Sequence, residues 1–226
     1  GYDMAKLIIK LINEISVLVA AHPVAKDLIR VIFLENYSVS AAEILIPATD
    51  LSEQLSTAGF EASGTGNMKF MMNGALTIGT LDGANIEISE RLGPDDFFVF
   101  GLTSDEVKKR KSEGYAPYNI CTNNPVLMAA INRLSDGSLG NGDKTMFTDI
   151  KSSLILGCHG AADPYLVLGD FDSYREAQLR VDEKRTDKES WWKSAVLNTA
   201  NSGFFSSDRT IRQYNELVWK LASLRD

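Results

Sequence analysis

Apolar residues at Leu7, Ile8, Leu11, Ile12, Ile15, Leu18 and Val19 recur with the period of about 3.6 that marks one face of a helix. Lys6, Lys10 and Glu14 interrupt this stretch, so it reads as an amphipathic, core-facing helix from Tyr2 to Ala21 and not as a membrane span. His22-Pro23 ends it. Arg30 to Leu34 is a short, nearly continuous apolar run of the kind found in a strand buried on both faces, and Ile44 to Ile46 is a second apolar patch, stopped by Pro47. Asp50 or Ser52 is placed to cap a short helix through Leu55, closed by Gly59. A glycine-rich loop and a helix opening at Asn67 and carrying Lys69 follow. Ala75 to Thr80 alternates as a strand does, Asp82-Gly83 turns into a helix around Asn85 to Arg91, and Phe97 to Phe100 is an aromatic strand ended by Gly101. Ser104-Asp105-Glu106 then starts a charged surface helix to Glu113.

Strands alternating with helices through Gly101 predict parallel βαβ units and a doubly wound α/β sheet. Beyond Gly101 the pattern is mainly helical: Pro125 to Leu134, Thr145 to Leu156, Ser173 to Glu183, Lys188 to Ala200 and Asp208 to Leu221, with an exposed loop from Ser135 to Lys144. The expected organisation is an α/β part over roughly residues 1–101 and a mainly helical part over residues 102–226.

Composition narrows the function classes only a little. The chain has 226 residues, 44% of them apolar and 23% charged, enough to bury a sizeable core. Its net charge of −7, spread along the sequence, argues against nucleic acid or an anionic membrane as a partner. Cys121 and Cys158 are isolated, without the spacing of a zinc site; two free thiols of a cytosolic protein are expected ahead of the alternative, one disulfide. His22 and His159 have no metal-ligand partner at a suitable spacing. The opening residues do not read as a signal peptide. The sequence opens inside a helix with no initiator methionine.

The candidate chemistry lies in Glu61-Ala62-Ser63-Gly64-Thr65-Gly66-Asn67-Met68-Lys69, followed by Phe70-Met71-Met72 and closed by Asn73-Gly74. Two glycines two apart allow a tight turn whose N–H groups point one way, and the Thr65 hydroxyl adds a donor, so the loop suits a phosphate. A lysine near the start of the next helix opposes the helix dipole at a cost of a few tenths to about 1 kcal/mol, which points to a bound anion or a neutralised amine. Such an amine can also form a Schiff base with a carbonyl cofactor. The spacing fits neither Gly-x4-Gly-Lys-Ser/Thr nor Gly-x-Gly-x-x-Gly, so a Walker-type or dinucleotide site is disfavoured. Taken alone, a plain structural turn and a phosphate cradle stay level.

The nonapeptide with its continuation to Asn73-Gly74-Ala75-Leu76 resembles the pyridoxal-phosphate attachment segment of the glycogen/α-glucan phosphorylases. The likeness extends to Val31 through Tyr37, Ile46-Pro47-Ala48 through Gln54, Thr80 through Glu87 and Phe205 through Ile211, covering nearly the whole chain. Asp163 to Val167 and Leu197 to Ala200 look closest to bacterial maltodextrin and glycogen phosphorylases. The resemblance implies the C-terminal, Rossmann-like domain of a two-domain glycosyltransferase fold of the GT-B type, with a helical C-terminal segment and the N-terminal part of the polypeptide lying outside this chain. It also implies pyridoxal 5′-phosphate on Lys69, its phosphate in Gly64, Thr65 and Gly66, and Tyr37 near the cofactor. Glu61, Ser63 and Gly64 would hold the sugar, and Lys69 and Glu61 are the residues tied to catalysis. The implied reaction is phosphorolysis of an α-1,4-glucan by inorganic phosphate, in a cytoplasmic homodimer, and this chain alone would be inactive. Ser38 departs from relatives that carry a basic residue there. Glu53, eight residues before Glu61, matches the carboxylate spacing of related retaining glycosyltransferases. Asp82 to Asn85 reads as a helix-capping turn, and Phe97 to Phe100 and Trp191-Trp192 as core. The rival readings are a non-catalytic phosphate- or sugar-binding remnant of the same fold, and a nucleotide-sugar glucan synthase, disfavoured because synthases lack the lysine segment.

Overall fold

A computed structural model describes residues 1–157 and 160–222, so the expectations for Cys158 and His159 fall outside the described residues. In chain order the elements are α1 Asp3–Ala21, α2 Val39–Leu45, β1 Leu51–Gln54, α3 Gly66–Met72, β2 Leu76–Gly79, α4 Asn85–Leu92, β3 Phe97–Val99, α5 Ser104–Ser112, α6 Pro117–Asn123, α7 Pro125–Arg133, α8 Thr148–Ile155, α9 Phe171–Thr186, α10 Lys188–Asn201 and α11 Ser207–Tyr214. All three strands precede Gly101, as the sequence pattern predicts, but packing divides the chain differently. One compact unit is Gly1–Ser38 with Val107–Phe171, and the other is Val39–Glu106 with Asp172–Asp226.

The first unit is helical among its described residues. Cys121, Leu127, Ile131, Leu134, Phe147, Ile150 and Leu168 form its core, against which α1 lays Met4, Leu7, Leu11 and Ile15. That i, i+3, i+4 stripe is narrower than the apolar pattern of the sequence, because Ile8 and Leu18 point outward. Buried Asp163 ties the loop before α9 together. It accepts from Tyr115 Oη at 2.6 Å and from the backbone N–H groups of Val167 and Leu168 at 2.9 and 2.8 Å.

The second unit is built on a parallel sheet of order β1-β2-β3, with Leu51 opposite Leu76 and Thr77 opposite Phe97. Every residue of the central strand β2 is buried. Its side chains alternate between two cores. Leu76, Ile78, Phe98 and Phe100 pack against Ala177, Val181 and Trp191 from α9 and α10. Phe97 faces the other way and packs against Met71 of α3 and Ile88 of α4. The two crossover helices thus cover one face of the sheet and the C-terminal helices the other, which a parallel sheet needs because it cannot leave an apolar face in water.

Three expectations are corrected. Arg30 to Leu34 is not a strand: Ile32 and Leu34 are exposed, and its recorded tether is Ser16 Oγ donating to the Val31 carbonyl at 2.7 Å. A parallel strand exists only beside a partner, and this run lies in the unit whose described residues hold no strand. Asp50 to Leu55 is the strand β1 and not a capped helix, since its backbone is taken by the ladder to β2 and Ser52 is buried. The C-terminal helix α11 stops at Tyr214 and passes into a π-helical turn, Asn215–Trp219. The sequence pattern also missed α6, whose Pro117 occupies the first helical turn.

Phe97 is fully buried between α3 and α4. Phe97→Ala is expected to lower unfolding stability by about 3–5 kcal/mol, measured by denaturant titration.

Candidate functional site

The glycine-rich loop joins the carboxyl end of β1 to α3, and the turn after β2 holds it in place. Asp82, itself buried, accepts the backbone N–H of Gly59 at 2.8 Å on Oδ1 and that of Glu61 at 2.7 Å on Oδ2. One carboxylate therefore fixes the loop on both sides of Phe60 through two charge-assisted bonds. Thr80 Oγ1 donates to the Ser56 carbonyl at 2.5 Å, and the Ala84 N–H donates to the Ser63 carbonyl at 2.7 Å. At Gly83 (φ +53°) the two backbones touch: a Cβ there would lie 2.5 Å from the Ser63 oxygen. Only glycine fits that crossing and that conformation.

A second anchor lies at the start of α3. Buried Asn67 accepts the Met68 N–H on its own Oδ1 at 2.9 Å. Its Nδ2 donates to the Ser63 carbonyl at 3.3 Å and to Asn85 Oδ1 at 3.0 Å. Asn85, also buried, donates in turn to the Thr80 carbonyl at 3.1 Å. Gly79 makes room for this amide, since a Cβ on it would come within 3.0 Å of Asn85 Nδ2. Gly64 stands at φ +76° with Asn67 beneath it at 3.2 Å from a would-be Cβ. Its backbone therefore turns without a side chain over the loop.

Against this frame the predicted residues can be placed. Glu61, Ser63 and Thr65 are exposed, and Gly64 and Gly66 are half-buried. Thr65 precedes α3 without making a side-chain cap bond, and Ser63 Oγ donates to the Gly64 carbonyl at 3.1 Å. Lys69 is exposed and lies in the last turn of the seven-residue α3. This corrects the expectation of an awkward charge at a helix N-terminus, because a cation is favoured by the dipole where Lys69 sits. Beside it runs a groove of about 430 Å³ lined by Val39, Ala42, Glu43, Ile46, Met72 and Asn73 among others. Glu61, Ser63, Gly64, Thr65, Gly66 and Lys69 are thus brought together in one unit. Tyr37 belongs to the other unit, where it is exposed next to Asn36 at φ +50°.

The carboxylates divide their work. Glu53 leaves β1 and is held by Tyr174 Oη at 2.8 Å and Gln178 Nε2 at 2.8 Å, so it ties β1 to α9. Asp82, Gly83, Asn67 and Asn85 were not singled out by the sequence as site residues. The expected capping role of Asp82 is replaced, since α4 starts at Asn85, with Ala84 at the cap position and no side-chain cap bond. The available signal was the position of an Asp-Gly pair at the carboxyl end of a buried strand, where open α/β sheets place their ligand loops. Among the described residues no group of acidic, histidine or cysteine side chains is arranged to hold a metal ion, and no helix is long and apolar enough to cross a membrane.

The residues fit a phosphorylated carbonyl cofactor: a cradle without side chains at Gly64 and Gly66, a hydroxyl free of capping at Thr65, and an exposed amine beside an apolar groove. The chain belongs to the carbohydrate phosphorylases, whose pattern it matches over residues 1–221. It is 51% identical over 221 residues to the glycogen phosphorylase of Synechocystis sp., an alignment covering 98% of this chain and 25% of that protein. It is 46% identical over 222 residues to the glycogen phosphorylase of Chlamydia trachomatis, covering 98% of this chain and 27% of that protein. To the muscle form of Bos taurus it is 47% identical over 225 residues, covering 100% of this chain and 26% of that protein. The chain therefore spans about a quarter of the length of the curated relatives it matches.

Two outcomes follow from this geometry. Gly83→Ala is expected to destabilise the protein by about 1–3 kcal/mol in denaturant unfolding, because backbone must shift to admit the Cβ. Burial, and next the facing Glu53 carboxylate, push the Tyr174 phenol from 10.0 up to about 12. The folded state thus keeps a proton that the unfolded chain releases, and this contribution is complete below about pH 10 and lost as pH rises toward about 12. Tyr174→Phe is expected to flatten that alkaline decline in midpoint denaturant concentration.

Proposed function

We propose that this chain is the C-terminal, cofactor-bearing part of an α-1,4-glucan phosphorylase. In this reading it forms the Rossmann-like half of a two-domain glycosyltransferase of GT-B type. The rest of a longer polypeptide supplies the other domain and the basic residues for inorganic phosphate. The observation that carries the reading is the intact segment from Glu61 to Lys69, rigidly held at Asp82 and Gly83, with the Lys69 amine beside an apolar groove.

Lys69 would hold pyridoxal 5′-phosphate through its amine, which stands beside the apolar groove next to α3. Gly64, Thr65 and Gly66 would offer backbone N–H groups and a hydroxyl to the cofactor phosphate, which would supply a proton-exchanging anion to the reaction. Glu61 accepts hydrogen bonds from vicinal sugar hydroxyls, and the Ser63 and Gly64 N–H groups donate to the same sugar. Together these residues fix the terminal glucosyl unit so that its bond to the chain is broken by inorganic phosphate with retention, releasing α-D-glucose 1-phosphate. Glycogen or maltodextrin is the substrate, and the enzyme works as a cytoplasmic homodimer.

The test is glucose 1-phosphate release from maltoheptaose. The parent polypeptide is expected to show phosphate-dependent release, and Lys69→Ala to abolish it. The isolated chain is expected to show none, since it lacks the second wall of the site. Glucan transfer from a nucleotide sugar without any dependence on phosphate would replace this reading with a synthase.

A further inference from the structure

We propose that Asp82 and Asn85 are positioning residues that control the two halves of the glycine-rich loop separately: Asp82 the sugar-holding half, Asn85 the cofactor-holding half. This inference rests on the phosphorylase reading of the loop.

Beside the bonds of Thr80 Oγ1 to the Ser56 carbonyl and of the Ala84 N–H to the Ser63 carbonyl, the side-chain bonds of Asp82 and Asn85 form two sets that do not share a side chain. Asp82 reaches only the N-terminal half, through the N–H groups of Gly59 and Glu61 at 2.8 and 2.7 Å. Glu61 is itself exposed, so the bond to its backbone is what limits where its carboxylate can stand. Replacing Asp82 by Asn keeps the size of the side chain but removes one acceptor oxygen and the charge. One of the two N–H groups then faces an amide NH2 group and loses its partner.

Asn85 reaches the C-terminal half through Asn67. The route runs from the Thr80 carbonyl to Asn85 Nδ2, from Asn85 Oδ1 to Asn67 Nδ2, and from Asn67 Oδ1 to the Met68 N–H. Asn67 follows Gly66 directly and stands two residues before Lys69, so its placement sets both the cradle and the helix that presents the amine. Asn67 Nδ2 also donates to the Ser63 carbonyl at 3.3 Å, close to where the two halves meet. Both asparagines are nearly fully buried, at 2% and 4% exposure, so a lost bond there is not replaced by water.

The experiment uses the full-length enzyme. Asp82→Asn is expected to raise KM for maltoheptaose and for glucose 1-phosphate by about tenfold or more, because a small misplacement of a positioning group is costly. Its content of bound cofactor, read by absorbance per polypeptide, should stay at the wild-type level. Asn85→Ser is expected to do the reverse: cofactor dissociates about tenfold faster, while KM of the loaded fraction is unchanged. A merely structural role for either residue would move both readouts together, and that result, or a wild-type KM for Asp82→Asn, would overturn the proposal. Amide exchange on the wild-type protein needs no variant: slow exchange at Gly59 and Glu61 supports the Asp82 clamp, and exchange at the free-peptide rate would overturn it. A full-length protein without phosphate-dependent activity would instead remove the phosphorylase reading, while leaving amide exchange and cofactor release to report on the two anchors.

Discussion

The contact between the turn after β2 and the glycine-rich loop is the constraint on which the candidate site depends. From Leu55 to Thr65 the chain has no regular secondary structure, so it cannot hold its own shape through helix or sheet bonds. Asp82 substitutes for a missing strand partner by accepting two of its backbone N–H groups, and Ala84 donates to the carbonyl of Ser63. Gly83 lets the two segments meet without a side chain between them. With this contact in place Glu61, Ser63 and Gly64 have a fixed backbone.

The turn is rigid because β2 is. Leu76 and Ile78 are buried against α9 and α10, and Phe97 on the neighbouring strand is buried against α3 and α4. The turn at Thr80 therefore starts from a strand fixed on both faces, and the Thr80 carbonyl and hydroxyl each take up a partner from the site: Asn85 Nδ2 and the Ser56 carbonyl. Rigidity passes from apolar packing to a buried polar turn and from there to an exposed loop. This is a common arrangement in parallel α/β folds, where ligand loops sit at the carboxyl ends of strands and are only as precise as the sheet beneath them.

How much of this was legible in the sequence follows from which signals are local. Strands β2 and β3 showed themselves through Leu76, Ile78, Phe97 and Phe98, because a strand buried on both faces must be apolar. Strand β1 did not: Ser52, Glu53 and Gln54 look like a capped helix, and their strand state is imposed by the backbone ladder to residues 25 positions away, such as Leu51 to Leu76. The run from Arg30 to Leu34 shows the opposite error, having the composition of a buried strand but no strand to pair with among the described residues of its unit. The residues that touch ligands in the proposed site were legible as one contiguous segment, Glu61 to Lys69. The residues that position them, Asp82, Gly83 and Asn85, were not, since their roles consist of hydrogen bonds and a backbone crossing made across about twenty residues of intervening chain. Lys69 does not oppose the helix dipole, because α3 is so short that its fourth residue already lies in its last turn.

We propose that this loop presents Lys69 as the single attachment point of a pyridoxal cofactor. Borohydride reduction of the full-length protein, followed by peptide mass mapping, tests it most directly. A pyridoxyl adduct is predicted on Lys69 and on no other lysine. An unmodified Lys69 in protein that retains the cofactor, with the adduct elsewhere or absent, would contradict the account.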